Sequence, residues 1–170
     1  WAMGGSRVGD TFVLVSGGTL ARVPLQISDI GQTYIYRTVT TGTSNAAGVE
    51  QNFAGAGVAL MPFSPVRIAG TRAGGGDLTI TWVRRGRLGQ ELPGGADIPL
   101  SEETAAYEVD ILAAGSPDAV LRTLSSSTDT VDYSAADQTD DFGAPQSSIA
   151  VRVYQLSAIV GRGTAGAASI

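Results

Sequence analysis

The chain has 170 residues and a net charge of −5, with 23 Gly and neither Cys nor His. A disulfide framework, a Cys/His zinc site, a thiol nucleophile and a Ser-His-Asp triad are therefore excluded, leaving carboxylates as the only catalytic or metal-ligating option. All eleven basic residues are Arg, and a modestly acidic chain of this kind is a poor general nucleic-acid binder.

The absence of Lys reads as the mark of a GC-rich genome and not of a function. No stretch approaches the roughly 18 apolar residues that span a bilayer, and no basic-then-apolar leader opens the chain. The opening Trp1-Ala-Met-Gly-Gly is expected to be a cut within a longer polypeptide. An intact source protein of 17.3 kDa would contradict that.

Asp10 to Val15 and Leu20 to Leu25 bracket Ser16-Gly-Gly-Thr19, a turn of hairpin length, with Pro24 placing the second strand at an edge. After a turn at Ser28-Asp-Ile-Gly31, Tyr34 to Thr40 is β-branched and aromatic and predicts a third strand of one small antiparallel sheet. From Gly42 to Gly57 the residues are small and polar, which predicts a long irregular loop. Gly55 and Gly57 lack the strand-then-helix setting of a phosphate-binding loop. Met61-Pro-Phe-Ser-Pro65 then reads as a linker, dividing a small β module over 1–61 from a second module over 62–170.

In the second module, Val66 to Ala69 predicts a short first strand and Leu78 to Arg84 the second. Leu78, Ile80 and Trp82 share the inner face of that second strand, with Trp82 the largest side chain offered to the core. Arg84, Arg85 and Arg87 follow, in a segment running to Pro99. They read as a solvated loop paired with acids such as Glu91 or Asp97, with phosphate or carboxylate binding as the alternative. Ser101-Glu-Glu-Thr104 is a candidate cap for a short helical turn. Tyr107 to Leu112 alternates, with Tyr107, Val109 and Ile111 inward and Glu108 and Asp110 outward.

Val120 to Leu124 and Thr128 to Tyr133 predict two further strands. Asp137, Asp140 and Asp141 before Phe142-Gly143 have the composition of a Ca²⁺ loop without its full spacing, so an acidic solvated turn is expected. Ser148 to Leu156 alternates again, with Ile149, Val151 and Val153 on one face. Gly161-Arg-Gly163 predicts a bulge or corner, and the last residues a loosely held tail. Seven short strands at this spacing predict an all-β, Greek-key sandwich of immunoglobulin type. No arrangement of acids supports glycosidase or other catalysis, so no cofactor and no enzymatic activity are expected.

With Leu78-Thr-Ile-Thr-Trp82, Tyr107-Glu-Val109 and Ile149-Ala-Val-Arg-Val153 in these places, the second module resembles fibronectin type III domains. It departs from them in having Ile149 where a Tyr usually opens the penultimate strand, which puts the usual tyrosine corner in doubt. A wider run of motifs covers nearly the whole chain. It comprises Gly9-Asp-Thr-Phe-Val-Leu, Ser28-Asp-Ile-Gly31, Tyr36-Arg37, Phe63-Ser-Pro-Val66, Leu78 to Arg85, Pro99-Leu-Ser-Glu-Glu-Thr104 and Val153-Tyr-Gln-Leu-Ser157. These motifs resemble the C-terminal part of the large tail-tip (host-specificity, baseplate or "megatron") proteins of long-tailed phages and gene transfer agents.

That resemblance implies a virion component at the distal tail tip, repeated as a homotrimer beside other hub proteins and facing a cell-envelope receptor or glycan. Loops at sandwich ends commonly carry binding, so Arg84 to Pro99 (Arg84, Arg85, Arg87) and Ala135 to Pro145 (Asp137, Asp140, Asp141, Phe142) are the candidate interaction loops. The alternative function is a carbohydrate-binding sandwich of an extracellular or virion enzyme, which would need exposed aromatic platforms among Trp1, Tyr34, Tyr36, Tyr133 and Tyr154.

Overall fold

The computed structural model describes residues 25–39, 42–87, 100–116 and 118–170, so the expected strand over 10–15, and all but Leu25 of the one over 20–25, lie outside it. The first described elements are β1 (Thr33–Thr38) and β2 (Val49–Ala54), an antiparallel ribbon with Thr33 opposite Ala54 and Thr38 opposite Val49. β2 corrects the expectation of an irregular excursion over 42–57. Its strand is set by cross-strand partners more than by its own composition. Tyr36 packs edge-to-face on Phe53 with ring centroids 6.1 Å apart, and Arg37 pairs with Glu50. A 3-10 turn, Asn45–Ala47, lies in the connection between the two strands.

The sandwich begins with β3 (Val66–Arg72) and β4 (Leu78–Val83), followed by β5 (Tyr107–Leu112), β6 (Val120–Ser126) and β7 (Thr130–Tyr133). After the helix α1 (Ala135–Phe142) come β8 (Ala150–Ser157), β9 (Gly161–Arg162) and β10 (Gly166–Ser169). One sheet has the order β3-β4-β7 and the other β10-β8-β5-β6, with β9 paired to β8, and every pairing is antiparallel. This three-plus-four order is that of a fibronectin type III-like sandwich. The strand over 107–112 lies where alternation predicted it; β3 and β6 extend further than predicted.

The core is the inner face of both sheets. Leu78, Ile80 and Trp82 from β4 meet Tyr107, Val109 and Ile111 from β5 and Val151 and Val153 from β8, with Ile149 and Tyr133 closing the ends. Trp82 packs edge-to-face on Tyr107 at 5.3 Å. Full burial of each such aliphatic side chain is worth about 1.5–3 kcal/mol, so this one layer dominates the stabilisation. Ile149 is itself core, at 2 % exposure, so that position carries packing and not a tyrosine corner.

Three expectations are corrected in this module. The acidic turn before Phe142 is instead α1, with Ser134 as N-cap accepting from the Asp137 amide and Gly143 in the left-handed region at φ 83°. The tail is not loose: it forms β10, and Ile149 and Ile170 exchange backbone hydrogen bonds of 2.7 and 2.9 Å. Residues 101–104 bend without forming a helical turn. β10 is held close by Gly166, where any Cβ would collide with the Pro65 carbonyl oxygen.

Candidate interaction surfaces

The arginine segment after β4 separates into unlike residues. Arg87 donates from Nε to Glu102 Oε1 at 2.7 Å and from Nη2 to the Ser101 carbonyl at 3.1 Å, while its backbone amide reaches Ser101 Oγ at 2.9 Å. Glu102 is 5 % exposed at its side chain, so Arg87 latches the start of the segment entering β5 and is consumed by the fold. The acids first expected as partners, Glu91 and Asp97, lie outside the described residues. Arg84 is half-buried, whereas Arg85 is exposed and lies over the Phe63 ring, 5.2 Å from its centroid.

Two of the three acids of α1, Asp137 and Asp141, are engaged within the fold. Arg122 of β6 donates from Nε to Asp141 Oδ2 at 2.6 Å and from Nη2 to Oδ1 at 3.1 Å, and its Nη1 lies 3.0 Å from Asp137 Oδ1. The Tyr133 hydroxyl donates to the same Asp141 oxygen at 2.7 Å. Arg122 holds the Asp141 carboxyl below its ordinary pKa, against the opposing effect of burial, with the tyrosine hydroxyl assisting. Burial, and then Asp141, push the Tyr133 phenol upward. Phe142 packs against the core and Asp140 stays exposed. Among the described residues no group of three acids is placed to hold a metal ion.

A charge network that sequence reading missed lies on the outer face of the four-stranded sheet. Arg162 of β9 donates from Nη1 and Nη2 to the two Asp110 oxygens at 2.7 and 3.0 Å and from Nε to Glu108 at 2.5 Å. Its guanidinium also stacks on Tyr154 at 4.5 Å, and Thr123 donates to Asp110 at 2.6 Å. Asp110, expected to face water, is therefore only 2 % exposed. Burial alone would raise its carboxyl, but Arg162 and Thr123 outweigh that and hold it below the usual value. The available signal was an acid on a strand whose other residues, Glu108 apart, are buried.

Among the described residues, a further unconsumed surface is the β1–β2 ribbon. None of its residues is buried, yet it displays Ile35 at 66 %, Val49 at 63 % and Phe53 at 56 % exposure. Beside it, Leu25, Ile27, Ile30 and Leu60 line a mainly apolar cavity of about 330 Å³. Nearby, the Asp29 carboxylate accepts from the Gln26 amide and the Tyr34 hydroxyl, both at 2.7 Å. The arrangement offers apolar contact area; its polar groups serve the fold.

No protein-family model matches the chain, and no curated protein matches it in sequence. Among solved structures, domains d3–d4 of the rat CD45 extracellular region superpose over 100% of this chain and 80% of that one, at 12% identity and a TM-score of 0.44. The FN5 domain of Drosophila Lar covers 64% of this chain, with 94% of its own length aligned, at 12% identity and a TM-score of 0.39. A myokine structure likewise covers 64% of this chain and 95% of its own, at 13% identity and a TM-score of 0.39. These are likenesses of fold, and the strand order itself makes the second module a fibronectin type III-like sandwich.

Proposed function

We propose that the chain is a non-enzymatic structural and adhesion module of a phage-like tail tip. In this reading it is built into the baseplate hub of a virion or related extracellular particle, as a homotrimer beside other tail-tip proteins, and contributes to attachment to the host envelope. The observation that carries the reading is the β1–β2 ribbon: two strands with no buried residue, displaying Ile35, Val49 and Phe53 to solvent. An isolated two-stranded ribbon is marginal in water, and apolar area of this kind marks a surface that a partner covers. The run of tail-tip motifs from Gly9 to Ser157 supports the same assignment.

The carbohydrate-binding alternative has less support. Tyr133 is buried, Tyr154 lies under Arg162, Tyr34 is tied to Asp29, and Tyr36 packs on Phe53, while Trp1 lies outside the described residues. Limited proteolysis compares the readings when run on the isolated chain and on assembled particles. The tail-tip reading expects cuts within residues 42–57 in the isolated chain and protection there in particles. Equal cleavage in both, together with tight binding of free oligosaccharides on a glycan array, would favour the sugar-binding module instead.

A further inference from the structure

The arginines of the sandwich are mostly paired. Arg87 meets Glu102, Arg122 meets Asp137 and Asp141, Arg152 meets Asp118, and Arg162 meets Glu108 and Asp110. Arg72 donates to the Ile170 oxygen at 3.5 Å. Two exposed arginines stand apart, Arg67 and Arg85: among the described residues neither has a carboxylate partner, and Arg85 lies over the Phe63 ring. In a chain of net charge −5, with acids in excess, unpaired guanidiniums at one place are a selective feature.

The two belong to one corner of the three-stranded sheet. Val66, next to Arg67, is paired across the ladder with Val83, and Arg85 follows Val83 by two positions. Phe63 at 42 %, Val66 at 38 % and Val83 at 43 % exposure lie in the same region. The strand is irregular here. Val66 pairs with Val83 and Ala69 with Thr81, so Arg67 and Ile68 together stand opposite Trp82. This bulge lets Ile68 pack on the core while Arg67 stays exposed. Arg67 has φ 52°, the only positive value at a non-glycine among the described residues, a backbone state that an Arg adopts at a cost.

We propose that this corner, formed by Phe63, Val66, Arg67, Val83 and Arg85, docks an acidic protein segment. Its carboxylates meet the two guanidiniums, and an apolar side chain between them lies against the valines. Arg and aromatic side chains beside exposed aliphatics are the composition of protein interfaces. Two cations on an acidic chain are too few for the counterion release that drives nucleic-acid binding. The site is on the sandwich and does not depend on the tail-tip reading.

The test is an NMR titration of the full ¹⁵N-labelled chain with a short synthetic peptide carrying two Leu flanked by Asp and Glu, and with its Asn/Gln counterpart. The expected result is amide shifts confined to residues 63–69 and 83–86, with the acidic peptide bound about tenfold more tightly than the amide one. Arg85→Gln and Arg67→Gly should each weaken binding about tenfold, while Arg37→Gln leaves it unchanged. Arg67→Gly also relaxes the backbone, so its effect is not a folding defect. Equal affinity for both peptides, shifts centred on the ribbon, or no binding at about 1 mM peptide would overturn the proposal. Self-association abolished by Arg85→Glu would replace the acidic segment with a second copy of the chain. Binding of a single-stranded oligonucleotide lost in the same variants would replace it with a polyanion.

Discussion

Asp110 shows how one residue ties two parts of the sandwich together. It is almost fully buried, accepts both Arg162 guanidinium nitrogens and the Thr123 hydroxyl, and so fixes β9 against β5 and β6. Asp110→Asn keeps the shape but loses the charge-assisted bonds, and urea unfolding at neutral pH should show a loss of about 1–3 kcal/mol. The pH dependence follows from the direction of the shift. A carboxyl whose folded pKa is depressed contributes stability above the unfolded value, near pH 4, and loses it as pH falls through the folded one. Stability of the parent chain should therefore decline below about pH 4, and less steeply in Asp110→Asn. An identical acid limb in both chains would remove Asp110 from this role. Asp141 has the same sign, held down by Arg122.

At the scale of elements, α1 and β10 depend on local devices that substitutions can isolate. Ser134 caps α1 through the Asp137 amide at 3.0 Å, so Ser134→Ala should cost about 1 kcal/mol in thermal or urea unfolding. Gly166→Ala should cost more, about 1–3 kcal/mol, since its Cβ would meet the Pro65 carbonyl and push β10 off β8. A Gly166→Ala chain as stable as its parent would show that the edge strand yields freely. These elements also mark what was legible in the sequence. β4 and β8 were readable because each buries one face, and alternation records that directly, while β5 alternates in sequence although Arg162 covers Asp110 on its outer face. β10, with Gly-Ala-Ala-Ser, has no such signature and exists because β8 and Pro65 present a place for it. α1 hid among acids whose partner, Arg122, comes from another element, and Asp110 hid because Arg162 is 52 residues away. Arg87 was assigned to acids in its own loop, while its partner Glu102 is 15 residues on.

The whole molecule divides into parts that ask for different things. The sandwich builds its core from its own residues and pairs Arg87, Arg122 and Arg162 with its own acids. The β1–β2 ribbon displays apolar side chains on both strands and meets the sandwich near Gly57, where Val160 and Ile30 approach. On the proposed tail-tip reading, the exposed apolar side chains of the ribbon are covered on assembly. Amide hydrogen exchange over Thr33–Thr38 and Val49–Ala54, measured in the isolated chain and in assembled particles, tests this most directly. Assembly predicts fast exchange in the isolated ribbon, slowed at least about a hundredfold in particles, with β4, β5 and β8 slow in both. Ribbon amides exchanging at the same rate in both states would contradict it.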